Sequence, residues 1–301
     1  MPSRIPIDRL EKIVGKDNVQ IRSEKIFVSP ENSSAVSEIV KLANQEKFKI
    51  LPLGSGSILD WSKLPSLRQA PFGSEPQGRR QGGDSSASLT VPEEGRREQS
   101  RTAEDMIILK SDRLSRVKKV LPEDLYVILQ SGFPLKDLNH HLEPFNLFYP
   151  LAPQRAGQAE TISAGTMGGA VATNLKAFIL KIHPEGKSGE RSIQTREYVL
   201  ALEVIDPEGQ ILNLGARTFK SVTGYDLPRL FVGSWGTLGF ICEISLRLMP
   251  ARKRKDYADI ILDPPRRGEI KGQNNFKTIL SSRIKKSLDP NQVFFSLDSL
   301  V

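Results

Sequence analysis

The sequence predicts an α+β domain with mixed sheets and flanking helices, and three patterns carry that prediction. Ala35, Val36, Ile39, Val40, Leu42 and Ala43 recur at the spacing of one helical face. Tyr198 to Ile205 is nearly all apolar, as in a strand buried on both faces, and Asp206-Pro207-Glu208-Gly209 turns it back into Ile211 to Leu214. Phe240, Cys242, Ile244, Leu246 and Leu248 alternate with Glu243, Ser245 and Arg247, which predicts a strand with one face inward and the other outward.

The remaining elements follow in chain order. Ser29-Pro30-Glu31 offers a capping hydroxyl, a proline preset for the first turn and an acidic residue near the helix N-terminus, so the first helix is expected from Pro30 to Asn44. A short strand, Lys49-Ile50-Leu51, runs into a glycine-rich turn. From Trp61 to Glu104 periodicity disappears, and Gly, Ser, Gln, Arg, Glu and Pro dominate. Such a stretch cannot bury enough apolar surface to offset its ordering entropy. It is read as a disordered insert inside one domain, because strands resume at Met106–Leu109 and Tyr126–Leu129. Pro134 to Leu142 reads as a short helix with Leu135, Leu138 and Leu142 on one side, and Lys181 to Arg191 as a loose loop.

Composition narrows the function. The chain has 301 residues and no apolar run near the roughly 20 needed to span a bilayer. Its start, Met1 to Gly15, lacks the apolar core of a signal peptide. The single cysteine, Cys242, excludes an internal disulfide and a cysteine-built metal site, and three histidines do not make a histidine-only site. One cysteine suits a reducing cytoplasm. Of the net charge of +8, residues 251 to 301 hold +5, from eleven Lys and Arg against six Asp and Glu. The densest run, Arg252 to Lys255, has no interleaved aromatic residues for stacking on bases, so it reads as a solvated basic segment and not a nucleic-acid site.

Generic nucleotide and hydrolase motifs fail on spacing. Gly54 and Gly56 would need a third glycine at 59, where Leu59 stands, and Gly186-Lys187-Ser188 would need a glycine at 181, where Lys181 stands. Gly233-Ser234-Trp235-Gly236 has its serine one place early for a nucleophile elbow. His140 and His141 are helix neighbours that point to different faces. Three small-residue loops remain: Pro52 to Ser57, Thr161 to Asn174, and Gly233 to Gly239. Each alone reads as a turn. Glycines at 54 and 56 also permit a nest of backbone N–H groups, and the run of small side chains in the second loop lets a flat or charged ligand reach the backbone.

The order of these loops resembles the FAD-binding domain of the p-cresol methylhydroxylase and vanillyl-alcohol oxidase superfamily. The matching segments are Pro52-Leu53-Gly54-Ser55-Gly56-Ser57, Thr166-Met167-Gly168-Gly169-Ala170-Val171-Ala172-Thr173-Asn174, and Lys220 to Leu227 followed by Leu230 to Ile241. Within the superfamily the chain is most similar to glycolate oxidase flavin subunits, particularly the smaller E-type. The resemblance implies a two-lobed FAD-binding domain over residues 5–250, with 61–104 as the insert and 251–301 as a truncated remnant of the cap region with its closing helix. Only about 30 residues separate Pro250 from Ser281, too few for the family's cap, since a domain usually needs at least about 50. The lobes are expected to meet between Val120 and Tyr126.

The same resemblance implies that FAD is held by Pro52, Leu53, Gly54, Ser55, Gly56, Ser57, Pro153, Thr166, Met167, Gly168, Gly169, Thr173, Asn174, Gly236 and Ile241. Backbone donors of the first two loops would take the pyrophosphate, and Gly168 and Gly169 would both lie directly against the cofactor. Ser57-Ile58-Leu59-Asp60 holds no histidine where some members attach FAD covalently, so non-covalent FAD is expected. The implied role is a flavin subunit that oxidises a small 2-hydroxy acid, working with a paralogous flavin subunit and an iron-sulfur subunit, in the cytoplasm or at a membrane only through a partner. The alternative is a non-catalytic FAD-carrying assembly subunit. No catalytic base is identified.

Overall fold

The computed structural model describes residues 5–22, 25–54, 106–153, 165–182, 188–216, 226–257, 260–263 and 275–295. The insert at 61–104 lies outside them, as do Ser55, Gly56 and Ser57. The architecture is α+β with mixed sheets and flanking helices, as the sequence predicts, and it has two lobes.

The first lobe is a four-stranded sheet in the order β1 (Val19–Arg22), β2 (Lys25–Val28), β4 (Met106–Lys110), β3 (Lys49–Leu53). β4 runs parallel to both neighbours, and β1 pairs antiparallel with β2. Helices α1 (Ile7–Val14) and α2 (Ser33–Glu46) flank it. α2 buries the expected stripe, with Val36, Ile39 and Val40 fully enclosed. It starts three residues beyond the Ser29-Pro30 signal. Asn32 is the cap, its side chain accepting from the Ala35 amide at 2.9 Å. The Ser29 amide instead donates to Asn18 O at 2.9 Å, so tertiary pairing removes Ser29 from the helix.

The second lobe is built on an antiparallel sheet in the order β11 (Ile211–Gly215), β10 (Val199–Ile205), β12 (Phe240–Arg247), β6 (Tyr126–Gln130), β5 (Val117–Leu121). β5 therefore belongs to this lobe, while Leu114 packs in the first, so the lobes meet ahead of the expected boundary. The predicted turn joins β10 to β11, with the Gly209 amide on Asp206 O at 3.0 Å and Gly209 at φ +78°. β8 (Lys176–Ile182) and β9 (Ser188–Gln194) pair as far as Ile182 and Ser188, so most of the segment read as a loose loop is hairpin; β14 (Ile260–Asp263) adds to β8. Pro134 to Leu142 divides into a 3-10 turn, Leu135–Asp137, and helix α3, Leu138–Leu142. His141 meets Phe133 edge-on and His140 lies 3.8 Å from Glu143, so the two rings part.

β12 departs from its predicted alternation. Its other face is not solvent, because the strand packs between the two cores: Glu243 and Ser245 are buried, and Glu243 pairs with Lys118 of β5. Its register with β10 slips between Glu203 and Val204, a bulge at Cys242. A one-residue slip exchanges the faces of a strand. Phe240 and Cys242 accordingly pack in the first lobe's core, and Ile241, Ile244 and Leu246 in the second's.

The short helix before β12 is α5 (Pro228–Phe231); beyond β12, β13 (Met249–Pro250) pairs with β7 (Leu147–Phe148), Ala251–Tyr257 forms a 3-10 helix, and α6 (Asn275–Leu288) stands where the closing helix is expected. Arg252, Lys253 and Lys255 are exposed, but Arg254 lies over the Phe148 ring, 5.5 Å from its centre. Among the described residues, no helix is long and apolar enough to cross a membrane, and no three His, Cys, Asp or Glu side chains gather as a metal site.

Candidate FAD site at the seam of the lobes

The three small-residue loops converge where the lobes meet. β3 delivers Pro52, Leu53 and Gly54 to the seam. A Cβ on Gly54 would stand 2.5 Å from Thr166 Oγ1, so the first turn lies directly on the second. A Cβ on Gly236, which has φ +74°, would stand 3.1 Å from the Pro52 ring, so the third turn also lies on the first. The third loop also bonds the helix of the second, α4 (Met167–Thr173): Gly233 and Trp235 amides donate to Val171 O at 3.0 Å and Ala172 O at 2.9 Å. Gly233 and Gly236 with positive φ bracket Trp235, itself at φ +57°.

The start of α4 is fully engaged within the chain. Thr166 caps it, its hydroxyl oxygen accepting from the Gly169 amide at 3.1 Å. Met167, Gly168 and Ala170 amides donate to Phe133 O at 2.9 Å, Ser131 O at 2.6 Å and Thr166 O at 2.9 Å. These donors, expected from the sequence to face the pyrophosphate, are thus used inside the protein. Gly165 is open, with nothing within 4 Å of a Cβ built on it, and Gly169 meets only Thr166 Oγ1 at 3.4 Å. Gly168 is different: its Cβ would fall 2.8 Å from the Ser131 Cβ and 3.0 Å from Ser131 O. The absent side chain at 168 lets α4 close onto the end of β6.

Other predicted residues support the seam from behind. Thr173 donates its hydroxyl to Gly169 O at 2.8 Å. Asn174 ends α4 at φ +51°; its amide nitrogen donates to Gln194 Oε1 at 2.9 Å and its oxygen accepts from the Arg196 amide at 3.1 Å. Ile241 is 7% exposed and sits in the core. Pro153 O accepts from Asn139, a buried amide that also holds Tyr149 and Ala152.

The sequence reading missed Ser111, Ser131 and Gly132. A Cβ on Gly132 would collide with Ser111 O at 1.7 Å, which welds the loop after β4 to the loop after β6. It also missed Lys285, whose ammonium reaches Thr237 O of the third loop at 2.6 Å; the sequence marked that region only as a closing helix. Burial holds the Lys285 pKa below its usual value despite its partner Asp289. Burial pushes the Cys242 thiol up, which leaves it an unreactive core group.

The seam suits a flavin dinucleotide. It offers open glycines at 165 and 169, and three buried serine hydroxyls, Ser111, Ser131 and Ser234, have no hydrogen-bond partner among the described residues. Of the residues expected from the sequence, Pro52, Gly54, Thr166, Gly169 and Gly236 are brought together there.

A family model described as an FAD binding domain matches residues 95–215. The chain is 30% identical over 223 residues to the mitochondrial D-lactate dehydrogenase [cytochrome] of Arabidopsis thaliana, covering 74% of this chain and 30% of that protein. It is 28% identical over 228 residues to glycolate oxidase subunit GlcD of Bacillus subtilis, covering 76% of this chain and 37% of the relative. The chain therefore spans about a third of the length of these curated relatives. A solved structure of alkyldihydroxyacetonephosphate synthase superposes with a TM-score of 0.53 at 17% identity, covering 83% of this chain and 42% of that one, which is a likeness of fold. Seam geometry and relatives agree with the domain match: residues 95–215 carry an FAD binding domain, and the fold is that of the superposed synthase.

Proposed function

We propose that the chain is the flavin-binding part of an oxidoreductase that acts on a small 2-hydroxy acid such as glycolate or D-lactate. The observation that carries the reading is the meeting of the three loops, Gly54 on Thr166 and Pro52 on Gly236. The named activities of the Arabidopsis and Bacillus relatives supply the substrate class. FAD, held non-covalently, would accept the hydride from the substrate carbon. The chain binds and orients it. Gly169 and Gly165 admit the cofactor to the backbone, the serine hydroxyls at 111, 131 and 234 lie ready for its polar edges, and the core around Met167 and Ile241 excludes water.

A second reading, a non-catalytic FAD-carrying subunit beside a catalytic paralogue and an iron-sulfur partner, is favoured by the short stretch between Pro250 and α6. Its place is the cytoplasm, in keeping with the single buried cysteine. Anaerobic addition of glycolate or D-lactate to the purified holoprotein separates the readings. Bleaching of the flavin absorbance by the isolated chain is the result expected of the enzyme. Bleaching only after a partner is added would transfer the chemistry to the complex.

A further inference from the structure

We infer that Lys285 and Asp289 are positioning residues for the flavin, a clamp through which the C-terminal segment holds two of the three cofactor loops at once. The inference rests on FAD binding at the seam. The Lys285 ammonium is one-eighth exposed and the Asp289 carboxylate is fully enclosed. Lysine has three N–H donors. Here one goes to Asp289, one to Phe294 O at 2.9 Å and one to Thr237 O at 2.6 Å, next to Gly236.

Asp289 fixes the other arm. Its two oxygens accept the Val293 and Phe294 amides at 2.8 and 3.0 Å, which shapes the turn after α6. The chain then lies along β3. Ile50 donates to Val293 O at 2.7 Å, and Phe295 donates back to Ile50 O at 2.9 Å, two residues before Pro52. One buried ion pair thereby reaches the base of the first loop through β3 and the third loop directly, and those are the loops that touch through Pro52 and Gly236. Simple core filling would not need a charge here, because a buried ion pair loses much of its attraction to desolvation. A lysine is useful where one group must hold several carbonyl oxygens in a fixed arrangement.

The test titrates FAD into full-length apoprotein. Lys285→Met removes a charge-assisted bond to the third loop and should weaken FAD roughly tenfold or more. It should also alter the visible circular dichroism of the flavin that remains bound, and Lys285→Arg should restore most of both. Leu10→Ala, in the first lobe's core and away from all three loops, is the control for lost stability. It should lower the melting temperature and leave FAD affinity unchanged. Equal weakening by Leu10→Ala and Lys285→Met, or wild-type affinity in Lys285→Met, would overturn the clamp. A wild-type chain that binds no FAD would sink the functional reading instead. Hydrogen exchange on the unaltered protein covers the case in which Lys285→Met does not fold. Linkage is reciprocal, so FAD should slow exchange in residues 289–295 as well as in the loops; unchanged exchange there overturns the proposal.

Discussion

Gly168 and Gly169 are neighbours at the start of α4, yet the structure gives them different work, and one pair of substitutions separates them. At 168 a new Cβ would lie about 0.6 Å inside ordinary contact with the Ser131 Cβ. Neither partner moves freely, since the Gly168 amide is bonded to Ser131 O at 2.6 Å and Ser131 is 1% exposed. Overpacking of this kind costs about 1–3 kcal/mol. In a domain of this size each kcal/mol shifts the melting temperature by about 2–4 °C, so Gly168→Ala should melt roughly 4–8 °C early for a cost near 2 kcal/mol. At 169 the space is open, so Gly169→Val should melt near wild type but lose FAD affinity about tenfold or more, the equivalent of ~1.4 kcal/mol. The assays are a circular dichroism melt of the apoprotein and the flavin-to-protein absorbance ratio after reconstitution. A Gly168→Ala protein that melts with wild type, or a Gly169→Val protein with full flavin, would refute this division of roles.

Three further outcomes are expected. Asn174→Ala loses the bonds to Gln194 and Arg196 and keeps a Cβ at φ +51° with no side-chain bonds to offset it, whereas Asn174→Gly loses the bonds but also removes that Cβ. The alanine variant should therefore be about 1–2 kcal/mol less stable than the glycine one in urea unfolding. Asn139→Leu removes the four bonds that this buried amide makes to Tyr149, Ala152 and Pro153, and should cost about 3 kcal/mol by the same measurement. At Asp112 burial works to raise the pKa, but hydrogen bonds from Lys110 and Ser29 outweigh it and hold the carboxyl below 3.8. A depressed folded pKa gives stability that is present above the unfolded value and lost as pH falls through the folded one. Below about pH 4 the wild type should lose stability more steeply than Asp112→Asn, by a modest amount because the side chain is 41% exposed.

The three glycine loops were legible because their residue types are demanded by backbone approach and positive φ, which sequence records directly. The stripe of α2 and the β10–β11 turn were legible for the same local reason. What sequence could not show was which of two good caps starts α2, since the choice depends on Ser29 pairing with Asn18 across the chain. Nor could the alternation of Phe240 to Leu248 reveal a bulge, because a bulge leaves the pattern of residue types intact and changes only where they point. Gly168 and Gly169 look alike in sequence; their difference lies in Ser131, 37 positions away from Gly168. Lys285 acts on a backbone carbonyl 48 residues distant, and a carbonyl carries no sequence signature.

The bulge at Cys242 has a consequence for how the molecule comes apart. A single strand contributes Phe240 and Cys242 to one core and Ile244 and Leu246 to the other. Neither half then possesses a complete interior without the other, so the protein has no natural cut site for expression as two fragments. Heat or urea should take both halves through one shared transition. A ligand held at their junction would raise the midpoint of that whole transition, and wide hinge opening to admit it would require tearing a continuous strand out of one of its two interiors.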